Sequence, residues 1–246
     1  MTTITWDTGT AYDFFISLYA LHHAADIGLR PSWAAGVRQR ISPPRREFLE
    51  RFFTFGSVPL QWIRSLPEPK DAITALHCAR DLPAPARLVA LTFSVEPAPQ
   101  VQAALAGVAE RGTWSQADET TLREHPPHRT RALSQESLTL LLQTWAQAER
   151  AAQELLQALN EYYEAFFMEE ENRIRPALES GMQAARARSQ EVTLEDLLEE
   201  LSHGIRFEDI GSVRRLVLAP SYWMTPLVFH TRPSPQSALI VFGVRP

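Results

Sequence analysis

The spacing of hydrophobic positions changes along this chain, and the changes divide it. Residues 3–6, TITW, alternate as a short strand would. From Thr10 the run AYDFFISLYALHHA sets Phe14, Leu18 and Leu21 at helical spacing, with Asp13 near the positive end of the helix dipole. Gly28 and Pro31 end that helix. Further helical segments are predicted at PSWAAGVRQR, at RREFLERFFTFG after Pro43 and Pro44, at PLQWIRSL from Pro59, and at DAITALHCARDL behind an Asp cap. Two more fall within residues 85–95 and 100–111. Residues 1–111 therefore read as a subdomain of short helices punctuated by proline.

Residues 112–133 are polar and carry prolines, so they predict a connector. A long-helix region follows over 134–204, opened by Ser134 or Ser137. Leu138, Leu141, Trp145, Ala148, Ala152, Leu155, Leu159, Tyr162 and Phe166 recur every three or four residues. Leu142, Leu156, Tyr163 and Phe167 widen that stripe, which fits a bundle helix better than an isolated coiled coil. Pro176 predicts a kink or a restart before the helix ends near Arg188. Thr193 and Asp196 predict the start of another helix, LEDLLEELSHG, with Gly204 at its end.

After Gly204 the pattern becomes strand-like. Apolar runs at Arg214–Leu218, Leu227–His230 and Ala238–Val244 are separated by proline-rich turns. They predict an antiparallel meander over residues 205–246, with TITW as a fourth, edge strand. The expected fold is mainly α with a small C-terminal antiparallel β-sheet, an α+β arrangement. A helical bundle packs on the meander, and 1–204 form one compact domain with it.

Composition narrows the function. The 246 residues carry a formal net charge of -5, which argues against this chain tracking a phosphate backbone. Cys78 is the single cysteine, so no intrachain disulfide can form and a reducing cytoplasm fits. The N-terminus lacks the basic and apolar regions of a signal peptide. No stretch approaches the ~18 consecutive apolar residues of a membrane span. A soluble, cytoplasmic protein with no membrane partner is expected.

The residues that usually carry chemistry are scattered. His22 and His23 are adjacent on a helix and point about 100° apart, which does not suit one metal. His125 and His128 flank two prolines in the polar connector. His77 and Cys78 are neighbours on one helix, poorly placed as a base and a nucleophile. The run Glu169-Glu170-Glu171 reads as a solvated helix face. No phosphate-binding glycine loop, nucleophile elbow or HExxH is present. The expectation is a non-enzymatic protein with no catalytic residues, no metal and no cofactor.

The aromatic residues are the ambiguous ones. Tyr162, Tyr163, Phe166 and Phe167 crowd one stretch of helix, Trp33 lies on a short helix, and Tyr222 and Trp223 sit in a connector between Pro220 and Pro226. They either fill a core or line a site for a small apolar ligand. Leu138, Leu141, Trp145, Leu155 and Leu159 offer an alternative role, the seam of a homodimer.

Several segments carry a resemblance. The opening AYDFFISLYALHH, the segment RIRPALESGMQAAR, and GIRF followed by RRLVLAPSYWMTP and ALIVFGVRP resemble the long N-terminal region of bacterial ArsR-like winged-helix transcriptional regulators. The resemblance spans most of the chain. It implies a regulatory domain, sensing a ligand, forming a dimer, or both, whose DNA contacts belong to a winged helix that these residues do not include. Neither the DNA-reading residues nor the metal-sensing cysteines of that family have a counterpart here. The expected mechanism is a two-state one, in which a ligand among the helices biases the placement of the C-terminal strand.

Overall fold

The computed structural model describes residues 2–25, 27–126, 133–207, 210–225 and 227–244. It has the α+β architecture that the pattern predicts. After strand β1 (Thr3–Trp6) come helices α1 (Thr10–His22), α2 (Pro31–Arg38), α3 (Pro43–Phe52), α4 (Leu60–Ser65), α5 (Ala72–Asp81), α6 (Ala84–Thr92) and α7 (Pro99–Arg111). Proline opens α2, α3 and α7, where its missing N–H costs nothing because the first helical amides have no partner anyway. Asp71 caps α5 by accepting a 2.8 Å bond from the Thr74 amide.

The polar segment 112–133 is more than a connector. It holds helix α8 (Gln116–Glu124), started by a capping box in which Ser115 and Asp118 each bond the other's backbone amide. The S-x-x-D signature was present in the sequence, but the low apolar content of the segment masked it.

The long apolar stripe is likewise divided. Helix α9 (Gln135–Ala146), capped by Ser134, gives way at Gln147 to α10 (Ala148–Tyr162). A π-helical turn, Tyr163–Phe167, then leads into α11 (Met168–Arg188), which continues through Pro176 without restarting. Helix α12 (Leu194–Leu201) is capped by Thr193. His203 and Gly204, both at positive φ, turn the chain toward the sheet.

One prediction is corrected here. The strands β2 (Arg215–Ser221), β3 (Val228–Ser234) and β4 (Ser237–Gly243) do not form an antiparallel meander. The sheet is mixed, in the order β1-β2-β4-β3: β1 and β2 are parallel, β2 and β4 are parallel, and only β3 runs antiparallel to β4. The reason lies in burial. LVLA and ALIVF are unbroken apolar runs, as strands covered on both faces require, whereas β3 is mostly half-exposed and takes an edge. Val217, Ala219, Leu239 and Val241 face the main helical core. Leu216, Leu218, Ala238, Ile240 and Phe242 face a smaller core with Ala185 of α11 and Leu197 and Leu198 of α12.

This topology has a consequence for position. To reach the far side of β4, the chain leaving β2 must step across the end of that strand. The crossing is the segment after β2 that holds Tyr222 and Trp223. Gly243, at the end of β4, makes room for it: a Cβ there would lie 2.5–2.7 Å from Oγ1, Cα and N of Thr225.

Helix α1 occupies the middle of the molecule. Eleven of its thirteen residues are buried, so it is covered nearly all round. That burial includes three polar side chains, Thr10, Asp13 and Ser17, whose hydrogen bonds have to be found inside the protein.

Candidate functional site

The seven aromatics singled out in the sequence converge. Trp33 of α2 meets Trp223 of the crossing at 4.7 Å between ring centroids and Phe166 of the π turn at 5.9 Å. Phe166 and Trp223 are 6.2 Å apart, and Tyr162 approaches Phe166 at 5.7 Å. Tyr222 packs edge-on to Trp223 at 6.0 Å. Tyr162 and Phe167 are fully buried and pack with Phe14 of α1, so they serve as the floor of the cluster. Tyr163 meets the same Phe14 from the side at 6.3 Å. Trp33, Phe166 and Tyr222 are half-buried and form a rim that reaches the surface.

A buried acid lies against this cluster. Asp13, with 0 % of its surface exposed, accepts hydrogen bonds at Oδ1 from Ser221 Oγ (2.7 Å) and from the Trp223 amide (3.1 Å). Its other oxygen, Oδ2, has no hydrogen-bond partner among the described residues, and neither does the buried indole Nε1 of Trp223. Burial is the main reason its pKa rises from 3.8 to about 7; the Ser221 and backbone bonds oppose the rise, and Glu170 adds to it. Sequence reading assigned Asp13 only to the helix dipole. The missed signal was a lone acid inside an otherwise apolar helix, AYDFFISL.

Charged residues of α11 border the same place. Arg173 pairs with Glu170 and donates to Tyr222 Oη at 2.9 Å, with its guanidinium 4.7 Å from the Tyr222 ring centroid. Tyr162 Oη donates to Ser17 Oγ at 2.8 Å, which satisfies both polar groups in the core. The Glu run is therefore not a plain solvated face. Glu170 and Glu171 are buried, and Glu171 Oε1 accepts from Thr10 Oγ1 and from the Ala72 amide at the start of α5.

The crossing is tied to the end of β4. The carbonyl of Ser221 accepts a 3.0 Å bond from the Val244 amide, while its hydroxyl donates to Asp13. Val244 in turn sits where a Cβ on Gly181 of α11 would fall, at 2.4 Å. The aromatic cluster and the last described residues thus share one short hydrogen-bonded chain.

The predicted dimer seam lies inside the single protomer. Leu138, Leu141, Trp145, Leu155 and Leu159 are each 0–1 % exposed within a single protomer. Helices α3, α5, α6 and α7 pack on α9 and α10 and consume the stripe, so these side chains cannot reach a second copy while the protomer stays folded.

Other candidates come apart. His77 is exposed and Cys78 half-buried on α5. His22 stacks on Phe53 at 4.9 Å, and His23 stacks on Tyr19 at 4.0 Å. His125 ends α8, and His128 lies outside the described residues. Among the described residues no three His, Cys, Asp or Glu side chains converge as a metal site would require. The sole lysine, Lys70, is half-buried in an ion pair with Asp7 at 2.6 Å and also donates to the Arg64 carbonyl. That pair joins the start of α1 to the start of α5.

An apolar cleft of about 670 Å³ lies elsewhere, between α4, α6 and α7, lined by Trp62, Val89, Phe93, Ala103 and Trp145. Its polar edge is already satisfied: the Gln61 side chain accepts from the Glu96 amide, and Gln102 donates to Glu96 and to the Pro97 carbonyl.

No helix among the described residues is long and apolar enough to cross a membrane. Comparison with protein-family models, with curated proteins and with solved structures finds no match to this chain.

Proposed function

We propose that this chain is a ligand-sensing regulatory domain that acts by binding, without bond-making chemistry. Its sensing site is the aromatic junction of Trp33, Phe166, Tyr222 and Trp223, and its output is the placement of β4. The observation that carries the reading is the bond pattern of Asp13. One carboxylate oxygen holds Ser221 and Trp223, the other has no hydrogen-bond partner among the described residues, and Ser221 holds Val244. A small, largely apolar molecule entering at the rim would meet a ready partner and would strain or reinforce the crossing. It can shift β4 only through unequal affinity for the two arrangements.

The sequence resemblance of RRLVLAPSYWMTP and ALIVFGVRP to ArsR-like regulators is in keeping with this reading, although no comparison with known proteins finds that family. In this reading, a cytoplasmic domain passes a signal to a winged helix outside these residues, and DNA contact belongs to that module. A homodimer remains compatible with this role, on surfaces other than the stripe buried in α9 and α10.

Fluorescence and thermal denaturation across a library of small aromatic and aliphatic compounds test the proposal. Binding at 100 times Kd stabilises the folded state by about 2.7 kcal/mol. The reading requires compounds that raise the unfolding temperature of the parent protein and fail to do so for Trp33→Ala. If every stabilising compound acts equally on Trp33→Ala, the aromatic junction is not the site.

A further inference from the structure

We infer that the ligand taken by the aromatic junction is a small organic cation, an amine or ammonium carried on an apolar body. The inference rests on the sensing proposal and specifies its ligand class.

Two features of the site lead there. The first is an unpaired acceptor. Asp13 Oδ2 is fully buried and has no hydrogen-bond partner among the described residues, whereas Ser221 Oγ and the Trp223 amide donate to Oδ1 and the Tyr222 amide lies close enough to help lower the carboxyl's pKa. A buried polar atom without a partner costs about 1–3 kcal/mol, and more when it is charged. A ligand N–H offers what is lacking.

The second is the sign of the surroundings. The acids near the site are Asp13 and Glu170, and Arg173, which lies beside them, already engages Glu170 and Tyr222. Tyr162, whose hydroxyl is also near Asp13, stays protonated because burial raises its pKa far above its ordinary value. Glu170 therefore repels a charge on Asp13, and a cation would relieve that repulsion and the burial of the carboxylate together. The rings of Trp33, Phe166, Tyr222 and Trp223 add negative ring faces that attract cations. Trp33 and Trp223 lie 4.7 Å apart and inclined at 31°, too close to admit a flat ligand between them. Because Asp13 is fully buried behind these rings, a ligand must part the rim to bring its positive end to Asp13. Neither a neutral apolar molecule nor an anion uses these features.

Three probes of one shape decide the matter: benzylammonium, benzyl alcohol and benzoate. Each is titrated into the full chain while indole and amide resonances are followed by NMR. Benzylammonium should bind at least tenfold more tightly than benzyl alcohol, and benzoate should not bind. Calorimetry in buffers of different ionisation heat should show protons released on binding near pH 7, where Asp13 is partly protonated, and fewer at higher pH. The isosteric Asp13→Asn should fold, keep its bonds to Ser221 and Trp223, and lose the preference for the cation. If that variant fails to fold, Trp33→Leu on the rim is the second test, and it should weaken benzylammonium severalfold. Benzyl alcohol binding as tightly as benzylammonium overturns the cation inference and leaves the sensing proposal standing. Benzylammonium that binds while the Trp33 and Trp223 indoles stay unmoved overturns both.

Discussion

Ser221 and Asp13 stand 208 residues apart in sequence and share a 2.7 Å hydrogen bond in the core. The same serine accepts the Val244 amide through its carbonyl, so one residue joins the central helix to the end of the last strand. The account of this protein follows from that junction.

Asp13 makes stability depend on pH in a particular sense. Its pKa is about 7 when folded against 3.8 as the ordinary value, so the folded state holds the proton more tightly. Its contribution is complete below pH 3.8 and declines as pH rises toward about 7, by a few kcal/mol at most. Urea denaturation of the parent and of Asp13→Asn across this window should show the parent losing stability relative to the variant as pH rises. Parallel curves would mean that Asp13 titrates alike in both states.

His22 acts in the opposite sense. Burial, aided by Arg38 and His23, lowers its pKa from 6.5 to about 3, and its Nε2 lacks a partner among the described residues. The neutral form is the folded one, so its contribution is complete above pH 6.5 and lost as pH falls toward 3. His22→Phe should preserve the stack on Phe53 and flatten the acid limb of the stability profile. The measurement is the denaturation midpoint between those two pH values.

Gly243 should tolerate no side chain. In Gly243→Ala the new methyl meets the backbone N and Cα of Thr225, which cannot swing aside as a flexible side-chain tip would. The crossing must move, at a cost of about 1–3 kcal/mol. Trp223 fluorescence should change along with the unfolding midpoint. An unchanged midpoint would show that the crossing is not wedged against β4.

Leu141→Asp and Leu155→Asp place a charge in the protomer's own core, where each parent side chain is at most 1 % exposed. Loss of helical circular dichroism is the expected outcome, by several kcal/mol of destabilisation. A folded protein with a changed sedimentation coefficient would restore the seam between copies.

Helix positions and caps were legible because proline, Asp71, Ser134 and Thr193 mark them locally. The aromatic residues of the junction were legible by type and crowding. Their partner Asp13 was not, because nothing local reveals that residue 13 will meet residues 221 and 223. Sheet order escaped for a related reason. Unbroken apolar runs at 216–219 and 238–242 indicate cover on both faces, but only tertiary packing shows that β2 and β4 lie side by side and parallel. Helix α8 was concealed by its polarity, although Ser115 and Asp118 carried its start signal.

The central claim is that the aromatic junction and the end of β4 form one responsive unit. NMR shift mapping with benzylammonium, reading the Trp33 and Trp223 indoles and the Gly243 and Val244 amides in one titration, tests it most directly. The account predicts that all four move with a single affinity, and that Asp13→Asn uncouples the strand pair from the indoles. Indole resonances that shift while Gly243 and Val244 stay fixed would contradict it.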